Sequence, residues 1–370
     1  MRLIRGEEQK ELAESVRSFL ADTAPMARVR EVAESDEPYD RAVWTRLAGE
    51  LGLAGLAIPE EHGGSGAGHA EVAVVMEELG AALTPAPYLA SAVLAANALL
   101  QAGDAAAAKE LLPRIASGTT VATLAFQVPG EQAPAARAAG DGHELTGVAP
   151  HVLNGADADL ILVAAAEGED GRGPLGLYAV EAGADGLIRT PLTTLDLTRP
   201  QAKVEFAGVA ARRIGSGDAA EAIRRTLDLA SVALAAEQLG GLRRCLDTIV
   251  EYAKLRVQFG RFVGSFQAVK HKLADMHCVL EQAESIVRYA AWAADEAPGE
   301  LPVAAALAQS YLGRAYFRVA KDHLLLHGGI GFTWEHDAHL YYKRAKSAQL
   351  LLGSPRHHRA LLAERLGLVP

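Results

Sequence analysis

The chain reads as a multi-domain α+β protein: an N-terminal helical domain, a middle β-barrel or sandwich, and a C-terminal helix bundle. Three observations give this order. Apolar residues recur at helical spacing through residues 1–117 and again through 215–370. Between them, residues 118–214 carry short β-type runs cut by Gly, Pro and Asp. At 370 residues, half of them apolar, the chain has length for two or three domains and a composition unlike that of a disordered segment.

In the first block Leu12, Val16, Phe19 and Leu20 share one helical face, as do Trp44, Leu47 and Leu51. Pro59 to Gly66 is dense in turn formers and predicts a loop. The helical pattern resumes from Glu71 to Leu83, breaks at Pro85 and Pro87, and continues to Leu100. In the middle block the predicted strands are Val121–Phe126, His143–Thr146, Leu160–Ala164, Gly176–Val180 and Lys203–Phe206, with 167–173 as a polar turn. From about Asp218 to Leu366 long Ala-, Leu- and Val-rich stripes alternate with charged faces, as a bundle requires. Glu296 to Pro302 reads as a connection between helices.

A net charge of −10 leaves no electrostatic footprint for a phosphate backbone, so nucleic acid is not expected as a partner. No signal-like h-region and no run of about 18 uncharged apolar residues is found, so a soluble, cytoplasmic protein with no membrane partner is expected. Cys245 and Cys278 form no disulfide framework and read as small core residues. His323 and His327 stand four apart without a third ligand in register, which predicts helix packing and no metal. His357 and His358 read as a solvated face.

The most informative stretch runs from Tyr252 to Met276: a helix end, a tight Gly-containing turn, and a new helix. Arg256 and Gln258 sit at the end of the first helix. Arg suits a bidentate grip on phosphate, and Gln offers donor and acceptor to a nucleotide. The same residues also suit the capping of helix carbonyls. The whole string, Arg256-Val-Gln258-Phe259-Gly260 leading to Phe266-Gln267-Ala-Val and Leu273-Ala-Asp-Met276, resembles the signature of the acyl-CoA dehydrogenase family. Three further segments resemble that family in the same order: Leu51 to Gly66, Leu195-Asp196-Leu-Thr-Arg199 with Val204-Glu-Phe206, and His327-Gly328-Gly329-Ile-Gly331-Phe332. The resemblance covers residues from about 5 to 366.

The resemblance implies the acyl-CoA dehydrogenase fold, FAD as cofactor, an acyl-CoA substrate, and α,β-desaturation, with electrons passed to an electron-transferring flavoprotein. It implies that Arg256, Gln258, Phe259 and Gln267, with His327, Gly328, Gly329 and Gly331, meet a neighbouring subunit's flavin nucleotide. It places Phe126 and Gln127 near the flavin ring. It also reveals departures. The family's carboxylate base is normally a Glu in one of two places; here Leu352 and Ala230 stand there, and neither takes a proton. The family's Gly-Ser-Asp after the first strand is missing, since the chain reads Thr123-Leu-Ala-Phe126-Gln127-Val-Pro129-Gly130. The 331–342 and 350–362 segments resemble actinobacterial heteromeric steroid side-chain dehydrogenases of α2β2 type. Three readings stand at this point: a base-lacking subunit beside a second acyl-CoA dehydrogenase-like chain, a homo-oligomer with a relocated base for which Glu237 is the nearest candidate, and a flavin-dependent oxygenase or non-catalytic subunit.

Overall fold

The computed structural model describes all residues except 1–3, 128–131, 141, 169–172 and 370. Six α-helices come first: α1 (Glu7–Thr23), α2 (Met26–Ala33), α3 (Arg41–Gly49), α4 (His69–Ala82), α5 (Ala96–Gln101) and α6 (Ala105–Ala116). Seven strands follow: β1 (Ala122–Ala125), β2 (Ala135–Ala139), β3 (Gly142–Leu153), β4 (Leu160–Glu167), β5 (Leu175–Glu181), β6 (Leu187–Pro191) and β7 (Gln201–Ile214). Then come α7 (Ala220–Leu255), the short strands β8 (Val257–Gln258) and β9 (Arg261–Phe262), α8 (Gln267–Glu296), α9 (Leu301–Leu326), α10 (Ala338–Ala348) and α11 (Pro355–Arg365). The helical, β, helical order is the expected one. No described helix is long and apolar enough to cross a membrane.

Packing divides the chain into two compact units that interleave along the sequence. One contains Met1–Val29, His69–Thr84 and Ser231–Pro370; the other contains Arg30–Gly68 and Pro85–Ala230. The blocks 1–117, 118–214 and 215–370 remain our proposed domain bounds along the chain.

In the second unit the sheet closes on itself. β4 pairs with β2, β2 with β3, β3 with β7, β7 with β5, and β5 returns to β4. The result is a barrel, and closure removes the free edges an open sheet would carry. Its interior is filled by Leu145, Ile161, Val163, Tyr178, Val204 and Phe206, all buried. Two strands lie outside the predicted set. β2, Ala-Ala-Arg-Ala-Ala, has no β-branched residue, and β6 alternates between half-buried and exposed along the edge of β7. Helix caps tie this unit together: Asp104 accepts from Ala106 and Ala107 at the start of α6 and also from Gly215 just past β7.

In the first unit, α4 and α7 cross at two glycines that face each other's carbonyls. A Cβ on Gly240 would overlap the Glu77 carbonyl, and a Cβ on Gly80 would overlap that of Glu237 and lie 2.8 Å from its Cγ. Beside this crossing the Glu77 carboxylate, 3% exposed, meets three guanidinium groups from remote parts of the sequence. Arg5 lies 2.6 Å away, Arg288 2.9 Å and Arg243 3.4 Å. Glu284 takes the remaining reach of Arg243 (2.7 Å) and Arg288 (3.3 Å). Burial pushes the Glu284 carboxyl up, but the two arginines outweigh it and hold it below its ordinary value.

Two substitutions test this crossing. Gly240→Ala adds a methyl with nowhere to go and should cost about 3 kcal/mol. Glu77→Gln leaves three buried or half-buried guanidiniums short of a charge and should cost about 3–5 kcal/mol. Urea unfolding followed by circular dichroism reads both.

Candidate functional site

α7 ends at Leu255, and the chain turns at once into a hairpin in which Gln258 pairs with Arg261 and Val257 with Phe262. Its two-residue loop is Phe259–Gly260, with φ of +52° and +78°. Positive φ at both loop positions is the primed turn that matches strand twist. Glycine takes that conformation freely. Phenylalanine does not, and the left-handed region costs an L-residue about 1–2 kcal/mol. The Phe259 ring is nevertheless 92% exposed. It meets Phe266 edge-on at 6.3 Å between ring centroids, and the Arg261 guanidinium lies 3.9 Å from the centre of the Phe266 ring. The hairpin is thus braced against the start of α8 and lifts a strained aromatic side chain into the open. Arg256 is exposed and its guanidinium has no partner among the described residues. Gln258 is exposed, its amide nitrogen donating to the Val257 carbonyl at 3.0 Å, and Gln267 is exposed as the first residue of α8.

The second motif begins where α9 stops. His327 caps that helix, and its imidazole turns inward instead of toward a ligand. Nδ1 lies 2.8 Å from the His323 carbonyl, and the ring packs 4.6 Å from Tyr252 and 4.3 Å from His336. Tyr252 in turn donates to the His327 carbonyl at 3.3 Å. This joins the end of α7 to the end of α9, so two sequence motifs 75 residues apart share one base. Gly328 and Gly329 are exposed, with nothing within 4 Å of where a Cβ would be. Gly331 differs: it is buried, and a Cβ there would strike the Leu324 carbonyl. Its missing side chain serves the turn itself. Phe262, Phe332 and Trp334 add exposed aromatic surface on these two segments.

The remaining predicted residues lie elsewhere. Phe126 is half-buried and Gln127 exposed just past β1; Val128, Pro129 and Gly130 fall outside the described residues. Leu352, 9% exposed, sits in the turn between α10 and α11, and its carbonyl lies 3.1 Å from Nε2 of His358. Ala230 is fully buried on α7. Glu237 is 6% exposed, with Arg344 of α10 at 3.4 Å from its carboxylate. Two expectations need correction. His358 is not solvated: α11 turns it into the core, where burial pushes its pKa down to about 4. Cys278 is exposed on α8, whereas Cys245 is buried as expected. Among the described residues no three His, Cys, Asp or Glu are grouped to hold a metal.

Comparison with known proteins places these features in a class. Residues 6–119 match the profile of the acyl-CoA dehydrogenase N-terminal domain and residues 218–367 that of the C-terminal domain. The chain belongs to the acyl-CoA dehydrogenase family of FAD-dependent oxidoreductases. Among individual relatives, it is 37% identical over 350 residues to the acyl-CoA dehydrogenase IpdE2 of Mycobacterium tuberculosis, covering 95% of this chain and 94% of that protein. It is similar in structure to a chain of the ChsE4–ChsE5 complex of the same organism, with a TM-score of 0.92, 31% identity, and full coverage of both chains. A chain of the Tcur3481–Tcur3483 steroid acyl-CoA dehydrogenase matches with a TM-score of 0.88 and 33% identity over 98% of each chain.

The family binds FAD. The exposed surface around Arg256 fits the outer, nucleotide end of that molecule. It offers an unpaired guanidinium for phosphate, an amide for a nucleotide edge, and open glycine backbone at 328 and 329.

Two measurements follow. Phe259→Asn places a residue tolerant of the left-handed region at the loop and should stabilise the isolated chain by about 0.5–1 kcal/mol. The same change should weaken flavin retention in the assembled protein, read by absorbance after gel filtration. His323 is 2% exposed, its Nε2 lying 2.9 Å from the Thr248 hydroxyl, and burial pushes its pKa down to about 3. Below pH 6.5 the unfolded chain takes a proton that the folded chain refuses. Stability present above pH 6.5 is therefore lost toward pH 3, by up to about 1.4 kcal/mol per pH unit. His323→Gln should flatten that acid limb in urea titrations at pH 7, 6 and 5, leaving the parts due to His327, His357 and His358, whose pKa values burial also pushes down.

Proposed function

We propose that this chain is the base-lacking subunit of a two-chain acyl-CoA dehydrogenase, an α2β2 assembly that desaturates a bulky CoA thioester. The observation that carries this reading is what stands where the family's base would be. Leu352 and Ala230 are buried and apolar, and Glu237 is engaged with Arg344 at the α4–α7 crossing. A family member without a proton acceptor needs one from another chain. The solved relatives include two-component assemblies, one of them a steroid enzyme, which supports a partner chain and a steroid-like acyl group.

In this reading the partner chain supplies the carboxylate that takes the α proton. Bound FAD supplies the acceptor for the β hydride. The residues of this chain bind and position. Arg256 neutralises phosphate charge, Gln258 and Gln267 hydrogen-bond the nucleotide, and the exposed backbone of Gly328 and Gly329 admits it closely. Phe259 covers it from water, and its strain is offset by that contact. Phe126 and Gln127 lie near the flavin ring in the same reading. An electron-transferring flavoprotein is the expected electron acceptor, and the cytoplasm the expected location.

The test is reconstitution. The chain alone should turn over acyl-CoA slower than the assembly by a factor on the order of 10²–10⁴, the usual worth of a general base. Flavin loading should require both chains, and Arg256→Gln should lower it. Full turnover with full flavin content in the isolated chain would sink the proposal. Turnover by the isolated chain that vanishes in Glu237→Gln would instead identify a relocated base.

A further inference from the structure

Beneath the two exposed motifs, α7 and α9 are joined by two rungs, both inside the first unit. The upper rung is the Tyr252–His327 pair. The lower rung lies four residues back on each helix, about 6 Å along the axis, where the Thr248 hydroxyl meets Nε2 of His323 at 2.9 Å. The same four-residue step on both helices means that they run in parallel here, and both stop within a turn of the upper rung.

The lower rung favours one proton arrangement. The Thr248 hydroxyl donates to the Arg244 carbonyl at 2.8 Å, so toward His323 it offers a lone pair. Nε2 of His323 then carries the ring hydrogen, and Nδ1 is bare, buried and without a partner among the described residues. The opposite arrangement would strand an N–H at Nδ1 and give up the bond to the Arg244 carbonyl as well. Thr248 thus makes the one hydrogen bond of this ring among the described residues.

From this rung, contacts lead to both motifs. The His323 carbonyl accepts twice from His327, from the backbone N–H at 3.3 Å and from ring Nδ1 at 2.8 Å, and Gly328 follows directly. On α7, one turn past Thr248, Tyr252 donates to the His327 carbonyl, and its own carbonyl accepts from the Arg256 N–H at 2.9 Å, where the hairpin begins. A slip at the lower rung is therefore passed through His327 to the glycine turn and through Tyr252 to the hairpin.

We propose that Thr248 and His323 are positioning residues, which fix the height of the Gly328–Gly329 turn relative to the Arg256 hairpin so that both reach one nucleotide. The inference rests on the reading of this surface as the flavin surface. A ligand gripped from the ends of two helices needs both segments placed to within about 0.5 Å. Neither Thr248 nor His323 belongs to the exposed segments, and both act through the residue one turn further on.

Thr248→Val removes the hydroxyl at nearly constant shape and leaves the Nε2–H of His323 buried without an acceptor. The first readout needs neither flavin nor partner: hydrogen exchange of the full-length chain, followed by mass spectrometry. Amides of 257–262 and of 327–332 should both exchange about tenfold faster, the size of one lost hydrogen bond. The second readout is FAD titration of the flavin-free assembly with its partner chain, followed by flavin fluorescence. FAD should bind the Thr248→Val protein about tenfold more weakly. Thr248→Ser keeps the hydroxyl and should restore both readouts, and Arg256→Gln should weaken FAD by itself. Faster exchange in only one of the two segments would overturn the inference. So would equal losses in Thr248→Ser and Thr248→Val. A rung that only stabilises would lower the urea midpoint of Thr248→Val and leave FAD affinity intact while Arg256→Gln loses it, which also overturns the inference. Undiminished FAD affinity in both Thr248→Val and Arg256→Gln would instead remove the flavin reading on which it rests. If Thr248→Val does not fold, Tyr252→Phe takes out the hydrogen bond of the upper rung at a half-buried position and is held to the same outcomes.

Discussion

The first unit is organised around one buried carboxylate. Glu77 holds Arg5, Arg243 and Arg288, and so ties the segment before α1 to α4, α7 and α8. Such a cluster gains less net stability than its Coulomb energy implies, because four charges have left water. Its stronger effect is on geometry. Gly80 and Gly240 let α4 and α7 touch backbone to backbone, and the ion cluster fixes how far each helix slides along the other. α7 is the helix whose last turn carries Tyr252 and releases the Arg256 hairpin. The position of the hairpin is therefore inherited from a crossing far along the same helix.

Much of the fold was legible because helical periodicity is a local signal. The long apolar stripes of α7, α8 and α9 predict a bundle, and short β-type runs predict five of the seven barrel strands. β2 escaped because alanine carries almost no strand signal, and its place is fixed only by β3 and β4 on either side. β6 escaped because one of its edges stays open. The reach of β7 to 14 residues was also hidden, since it comes from pairing with three other strands.

The site was legible in a different way. Motif resemblance located Arg256, Gln258 and the 327–331 turn, but not how their side chains divide the work. His327 and Gly331 serve the fold of the turn, while Gly328 and Gly329 remain open. The left-handed backbone of Phe259 follows from closing a two-residue loop, which residue type alone would not predict. The surroundings of Glu237 depend on Arg344, more than 100 residues away.

The exposed aromatic surface of the hairpin and of the turn after α9 has a consequence for how the protein is produced. Phe259, Phe262, Phe332 and Trp334 are uncovered in the lone chain. An apolar patch of that kind is sticky in water. Copies made in excess of whatever covers the patch are copies at risk of aggregating. In the proposed two-chain assembly, matched synthesis of the two components then becomes a solubility requirement, and the amount of usable protein is set by the scarcer of them.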